Sequence, residues 1–234
     1  MNVIARLNMI VEGQTEETFV RDLLLESLAR HGVYVQVRCV ETRRKHGRAY
    51  RGGITTYAKA RRDMQHWLLE DKIAYLTTMF DLYKLPTEFP GFDHAMNLND
   101  PYQKGYHLES SLAADIANPR FIPYIQLHEF EGLLFSDVQT LDAILTVYHS
   151  RSHLTNLQQI RAQFKTPEEI DDGETTAPSK RLQRLYTSYD KVLFGPLIAQ
   201  RIGLDRLRQH CPHFHGWMTK LEALSERHQG LLSP

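Results

Sequence analysis

Four acidic residues draw attention by where they fall: Glu12, Asp81, and the pair Glu129 and Glu131 each follow a short apolar run. Those runs are Ile4 to Val11, Ile73 to Phe80 and Phe121 to Leu127. Runs of this length read as β-strands, the first of them buried mostly on both faces. The edge beyond the carboxyl ends of parallel strands is where ligands collect in open α/β sheets. If the three strands are neighbours, their carboxylates converge, and without compensation they repel one another. Oxygen donors with no His or Cys pair among them suit Mg²⁺ or Mn²⁺. Such ions do phosphoryl chemistry, and two of them about 3.5 to 4 Å apart can activate water and stabilise a leaving oxygen. Taken singly, each acid has a plain alternative as a turn residue or a carboxylate at a helix start, and Glu16 and Glu17 read as first-turn acids.

The surrounding pattern predicts the elements that would position these groups. After the first strand, Phe19, Val20, Leu23, Leu24 and Leu28 fall at helical spacing over Glu16 to Arg30, with Gly32 beyond the last turn. Val33, Val35, Val37 and Cys39 alternate with Tyr34, Gln36 and Arg38, which predicts a second strand. A basic, glycine-containing loop, Thr42 to Gly53, precedes a helix over Thr56 to Asp71. Leu82 to Asn99 has no period and reads as a long loop; Gln103 to Ile116 reads as helix. Pro123 places the fourth strand at an edge or a bulge. Beyond Asp137 only helices are expected: Val138 to Tyr148, Leu154 to Phe164, Ser179 to Ser188, a segment broken at Gly195-Pro196, and a last pair around Asp205 to Leu224. Strands alternating with helices predict an α/β core with a mostly parallel sheet.

Composition narrows the classes. The 234 residues are 42% hydrophobic and 24% charged, as in globular domains and unlike disordered or fibrous chains. Two cysteines, Cys39 and Cys211, show no paired spacing, so no disulfide framework or four-ligand zinc site is indicated and a reducing cytoplasm fits. No apolar run approaches the ~20 residues of a membrane span, so no membrane partner is expected. Lys plus Arg and Asp plus Glu are each 28, so only the distribution of charge is informative. Eight basic residues and no acid lie between Thr42 and Arg62. Of these Arg43, Arg44, Lys45, Arg48 and Arg51 are candidates for contact with a nucleic-acid backbone. A solvated loop balanced by the acidic stretch Glu168, Glu169, Asp171, Asp172 and Glu174 is the alternative.

Other motifs fall short of their chemistry. His128-Glu129 lacks the second histidine of a zinc protease, since Gly132 stands four residues on. Cys211, His213 and His215 alternate around Pro212 with no partner pair nearby. Gly13 has no Gly-Lys-Ser/Thr ending after it, so no P-loop forms and the chain itself is not expected to bind ATP.

Val11-Glu12-Gly13-Gln14-Thr15-Glu16 before an amphipathic helix resembles the first motif of Toprim domains, especially those of the OLD-type nuclease group. Thr78-Met79-Phe80-Asp81 sits where that fold has its aspartate motif. His128-Glu129-Phe130-Glu131-Gly132-Leu133-Leu134-Phe135 and Ala177-Pro178-Ser179-Lys180-Arg181-Leu182 are similar to signature segments of domain-of-unknown-function family 4276, an uncharacterised Toprim-like family. The resemblance implies that Glu12 is a metal ligand or general base, that Asp81 is a metal ligand, and that Glu129 and Glu131 complete the acidic set around Mg²⁺ or Mn²⁺. Lys180 and Lys191 are then the candidates for the lysine brought to the scissile phosphate. One position departs: Tyr83 stands where the motif has its second aspartate, so a second metal would need an oxygen from Glu129, Glu131 or Asp137.

The resulting expectation is a Toprim-like α/β domain over residues 1–137, with a helical region over 138–234 packed on it. The function expected is a metal-dependent nucleic-acid phosphodiesterase, a nuclease, with DNA favoured over RNA as its partner. The resemblance also implies an ABC-like ATPase partner and a part in defence against phage. The alternatives are a non-catalytic nucleic-acid-binding or effector subunit with a degenerate site, and hydrolysis of a small phosphoester.

Overall fold

The structure, a computed structural model, describes residues 4–45, 48–51, 56–170, 173 and 176–227, with the side chains of 41–45, 48–51 and 84 left outside that description. β1 (Ala5–Val11) runs into α1 (Gln14–Phe19), a π-helical stretch Val20–Leu24, and α2 (Leu25–Arg30). These three form the single helix expected from the spacing, widened in its middle. Gly32 follows with φ 73°, in the left-handed region that glycine enters without strain. After β2 (Val33–Cys39), the segment read as a basic loop carries an antiparallel hairpin, β3 (Glu41–Lys45) and β4 (Arg48–Arg51). Two short polar strands pair through their backbones, and no apolar period announces them. The side chains of Arg43, Arg44, Lys45, Arg48 and Arg51, and Gly47, Gly52 and Gly53 altogether, lie outside the described residues.

α3 (Tyr57–Glu70) leads to β5 (Tyr75–Asp81), fully buried along its length. The stretch expected as an irregular loop holds a short 3₁₀ turn, Leu82–Lys84, and α4 (Phe92–Met96). α5 (Pro101–Ile116) starts cleanly because Asp100 accepts from the Tyr102 and Gln103 N–H groups and Pro101 takes the first position. The fourth strand is split at Pro123 into β6 (Phe121–Ile122) and β7 (Ile125–Gln126). Where Pro123 interrupts the ladder, Thr78 replaces it: its Oγ1 donates to the Tyr124 carbonyl at 3.1 Å and accepts from the Tyr124 N–H at 3.0 Å.

The sheet runs β2-β1-β5-β6, with β7 also on β5, and every one of these pairings is parallel. Val11 is in register with Met79, and Asp81 with Gln126. The three runs that end in acids are therefore adjacent, as the site requires. Alternate residues feed two cores: Leu7, Met9, Val11, Tyr75 and Met79 join one cluster, while Ile10, Leu76 and Phe80 join the other with Tyr57, Met64, Trp67 and Leu108. Helices thus cover both faces of the sheet.

Beyond a 3₁₀ helix, Phe130–Ser136, come α6 (Val138–His149) and α7 (Leu154–Arg161), a 3₁₀ turn Pro167–Glu169, α8 (Pro178–Leu185), α9 (Lys191–Ile202), α10 (Leu204–His210) and α11 (Pro212–Glu222). α9 is unbroken although Pro196 lies inside it; proline removes only one backbone donor there, and packing against α1 and the 3₁₀ helix holds the rest. The first core continues from β1 through Phe130 into Leu141, Ile198, Phe214 and Trp217. Among the described residues no helix is long and apolar enough to cross a membrane. Cys39 and Cys211 are both buried and unbonded to each other.

Candidate active site

The acids at the strand ends are drawn inward. Glu12, Asp81, Glu129 and Glu131 are all buried, and a fifth acid, Glu16, joins them at 3% exposure. Glu12 Oε2 accepts from the Asp81 N–H at 3.3 Å, so the ends of β1 and β5 are tied by the candidate ligands themselves. Asp81 Oδ1 accepts from the Phe130 N–H at 3.0 Å, and Glu129 Oε2 accepts from the Ser179 N–H on α8 at 3.0 Å. Glu16 turns back so that its Oε2 accepts from the Gly13 N–H at 2.8 Å. Backbone amides on four segments thus fix four carboxylates, the usual means by which buried anions are made tolerable.

The chain reaches this arrangement through local devices. His128 adopts φ 61°, an uncommon conformation for a non-glycine residue, at the bend between β7 and Glu129. β7 itself is an edge strand, and an edge leaves backbone groups to satisfy. Glu109 Oε1 accepts from the Ile125 N–H at 3.0 Å, and His213 Nε2 lies 2.8 Å from that carboxylate and 3.1 Å from the Ile125 carbonyl. With its proton on Nε2, His213 donates while Glu109 accepts, and the two side chains close the edge as a neighbouring strand would. Glu168, read from the sequence as part of an acidic stretch that could balance the basic loop, is buried and accepts from the His213 and Phe214 N–H groups at the start of α11. Asp171, Asp172 and Glu174 of that stretch lie outside the described residues.

The electrostatics follow from burial and crowding. Burial first, then Glu12, Glu16, Glu131 and Glu129, push the Asp81 carboxyl well above its ordinary range. Burial pushes Glu131 up to about 7; Lys191 opposes this, and Glu129 and Glu16 add to it. Lys191, the first residue of α9, is drawn toward its charged form by Glu131, Glu16, Asp81 and Glu12 against the cost of burial. Of the two candidate lysines it is Lys191 that shares this cluster, since Lys180 is exposed on α8. Lys191 gets there because α9 approaches closely: a Cβ at Gly195 would stand 3.1 Å from both Phe130 and Thr15. Asp137 is no spare ligand. Its Oδ1 caps α6 through the Gln139 and Thr140 N–H groups, and its other oxygen meets Arg206 at 3.4 Å.

Whether these residues fit a hard dication has two sides. The donors are oxygens only, the charge is in excess, and Glu131 Oε1 is buried without a hydrogen-bond partner, as an oxygen reserved for an ion would be. Yet among the described residues no three Asp, Glu, His or Cys side chains are gathered closely enough to hold a metal as they stand. The set therefore fits in the kind of its donors and not in their present spacing. Glu16 escaped the sequence reading because a first-turn acid is ordinarily solvated. Tyr189, also buried beside Glu131 and Glu129, escaped because nothing in its spacing marks it.

Residues 11–222 match the family described as Domain of unknown function (DUF4276). The chain belongs to this family. The DUF4276 match spans every buried acid of the site together with Tyr189 and Lys191. The chain is also similar to solved structures of the C-terminal region of the Xanthomonas campestris pv. campestris OLD protein. A platinum-phased form is 16% identical, covering 96% of this chain and 97% of that one with a TM-score of 0.42. A mercury-phased form is 15% identical, covering 92% and 97%, also with a TM-score of 0.42. No curated protein matches the chain at a significant level.

Proposed function

We propose that the protein is a metal-dependent nucleic-acid phosphodiesterase with a Toprim-type site. The observation that carries this reading is the set of five buried acids, four beyond the ends of three adjacent parallel strands and Glu16 on α1, with half-buried Lys191 under the influence of Glu131, Glu16, Asp81 and Glu12. Glu12, Asp81, Glu129 and Glu131 are the residues that would hold Mg²⁺ or Mn²⁺. A bound dication would neutralise charge on the phosphoryl group and acidify a water molecule. The chain's own residues do the rest. Glu12, anchored to the Asp81 amide, orients the attacking water and takes up its proton. Lys191 meets the negative charge that grows on the phosphoryl oxygens, in a site dry enough to make that contact strong.

The basic residues Arg43, Arg44, Lys45, Arg48 and Arg51 would hold the phosphate backbone, with DNA favoured over RNA as the partner, a reading that rests on the run of basic residues; an ABC-like ATPase would be the partner in phage defence, which rests on the motif resemblance. Tyr83 in place of a second aspartate, and the absence of a preformed three-ligand cluster among the described residues, favour a second reading: a binding or effector subunit whose site is degenerate.

A plasmid-cleavage assay separates the two. The expected result is nicking that requires Mg²⁺ or Mn²⁺ and falls by more than about a hundredfold in Glu12→Gln and Asp81→Asn, a larger loss than outer-shell changes produce. Cleavage that survives both substitutions would refute the assigned site. No cleavage with any metal, with or without an ATPase partner, would favour the effector reading.

A further inference from the structure

Two atoms of the site are buried and have no hydrogen-bond partner: Glu131 Oε1 and the Tyr189 hydroxyl. The other unpartnered buried side-chain atoms among the described residues are ring nitrogens of His149, His210 and His213. Buried hydroxyls are nearly always paired, and one left unpaired calls for a reason. Tyr189 has little freedom to find a partner inside the protein. It is 5% exposed, and its ring stacks on Phe194 with centroids 6.2 Å apart and 24° between planes. The next residue, Asp190, is fixed as the cap of α9, accepting from the Val192 and Leu193 N–H groups. Tyr189 and Lys191 therefore flank a rigid turn, and both come under the influence of Glu131.

The geometry points to the Tyr189 hydroxyl as a hydrogen-bond donor to a non-bridging oxygen of a phosphoryl group bound between the acids and Lys191. The inference rests on the reading of this site as one for phosphoryl groups, and it adds a specificity-determining donor. An ionised carboxylate can only accept, so a phosphoryl oxygen entering the cluster needs donors, and an ammonium alone is a point charge without a preferred direction. A rigidly held phenol supplies direction. Its surroundings keep it a donor: burial, then Glu131 and Glu129, push the phenol up, so it retains its proton at neutral pH. The same surroundings argue against a nucleophilic phenolate, which would add a further negative charge to an acidic, buried cluster.

The test uses the full chain, wild type and Tyr189→Phe, in Mg²⁺. Three quantities are read: the melting temperature, the affinity for inorganic phosphate by titration calorimetry, and kcat and KM for plasmid cleavage. Because the hydroxyl has no partner within the protein, its removal is expected to leave the melting temperature unchanged or slightly raised. Phosphate affinity is expected to fall by about tenfold or more, the effect of losing a hydrogen bond to a charged group. Cleavage is expected to lose kcat along with binding. A lowered melting temperature with phosphate affinity intact would mean a structural hydroxyl and overturn the inference. So would unchanged affinity and rate in Tyr189→Phe. A phosphotyrosyl adduct trapped on denaturation would replace the donor role with a nucleophilic one. If the wild type neither binds phosphate nor cleaves with Mg²⁺ or Mn²⁺, with or without an ATPase partner, the phosphodiesterase reading fails and takes this inference with it; a wild type active in both and matched by Tyr189→Phe rejects the tyrosine alone.

Discussion

Glu131 carries a proton more tightly in the folded protein than in the unfolded one, held up to about 7 by burial and by Glu129 and Glu16 against the pull of Lys191. The folded chain therefore holds more protons than the unfolded chain between the ordinary carboxylate range and pH 7, and its stability must fall as pH rises through that window. The loss is on the order of 3 kcal/mol for this one group, and Asp81, raised for the same reasons, acts in the same direction. Melting temperatures of the metal-free protein should thus decline from pH 5 to pH 7.5, and Glu131→Gln should flatten the decline. Mn²⁺ should raise the melting temperature more at pH 8 than at pH 5, because it competes with those protons. An equal slope in wild type and variant would show that Glu131 does not titrate in this way. Glu12, Asp81, Glu129 and Glu131 were legible in the sequence because apolar runs of strand length placed them at one sheet edge. Glu16 and Tyr189 were not, since their burial depends on α9 closing over the site from more than 170 positions away from Glu16.

At the level of elements, the site depends on how closely α9 lies against α1 and the 3₁₀ helix. Gly195 is the point of contact, and Gly195→Ala would press a methyl group to 3.1 Å from Phe130 and Thr15. Both atoms belong to side chains that need give by only a few tenths of an ångström, and Ala gains about 1 kcal/mol over Gly inside a helix; relief by outward movement of α9 would carry Lys191 away from the acids. Denaturant midpoints should move little, while phosphate binding should weaken; intact affinity in a folded variant would contradict this. The mostly parallel sheet and the disturbance at Pro123 could be anticipated from strands alternating with helices; the strand order could not, because alternation does not say which strands are neighbours. The continuity of α9 through Pro196 could not, because local proline chemistry argues for a break and only tertiary packing overrides it. The β3–β4 hairpin was hidden for a related reason: its strands bear no apolar alternation.

In the molecule as a whole, one hydrophobic core runs on across the point where strand signals cease. Phe19 on α1 meets Phe130 at 5.0 Å and Phe214 on α11 at 6.0 Å between ring centroids, and Trp217 Nε1 donates to Thr77 Oγ1 on β5 at 2.9 Å. A fragment ending at Asp137 would expose this face of the sheet and lose Lys191, Tyr189 and the amide that holds Glu129. We expect it to show no cooperative thermal transition by circular dichroism; a sharp transition near that of the full chain would mean that the α/β part is self-sufficient. The proposed metal site depends on this continuous core to bring its carboxylates together. The most direct test of that site is a crystal structure grown in Mn²⁺ with anomalous data. The expected result is an anomalous peak within roughly 2.5 Å of carboxylate oxygens of Asp81 and at least one of Glu12, Glu129 and Glu131. Saturating Mn²⁺ that leaves these acids without a peak, or binds only elsewhere, would contradict it.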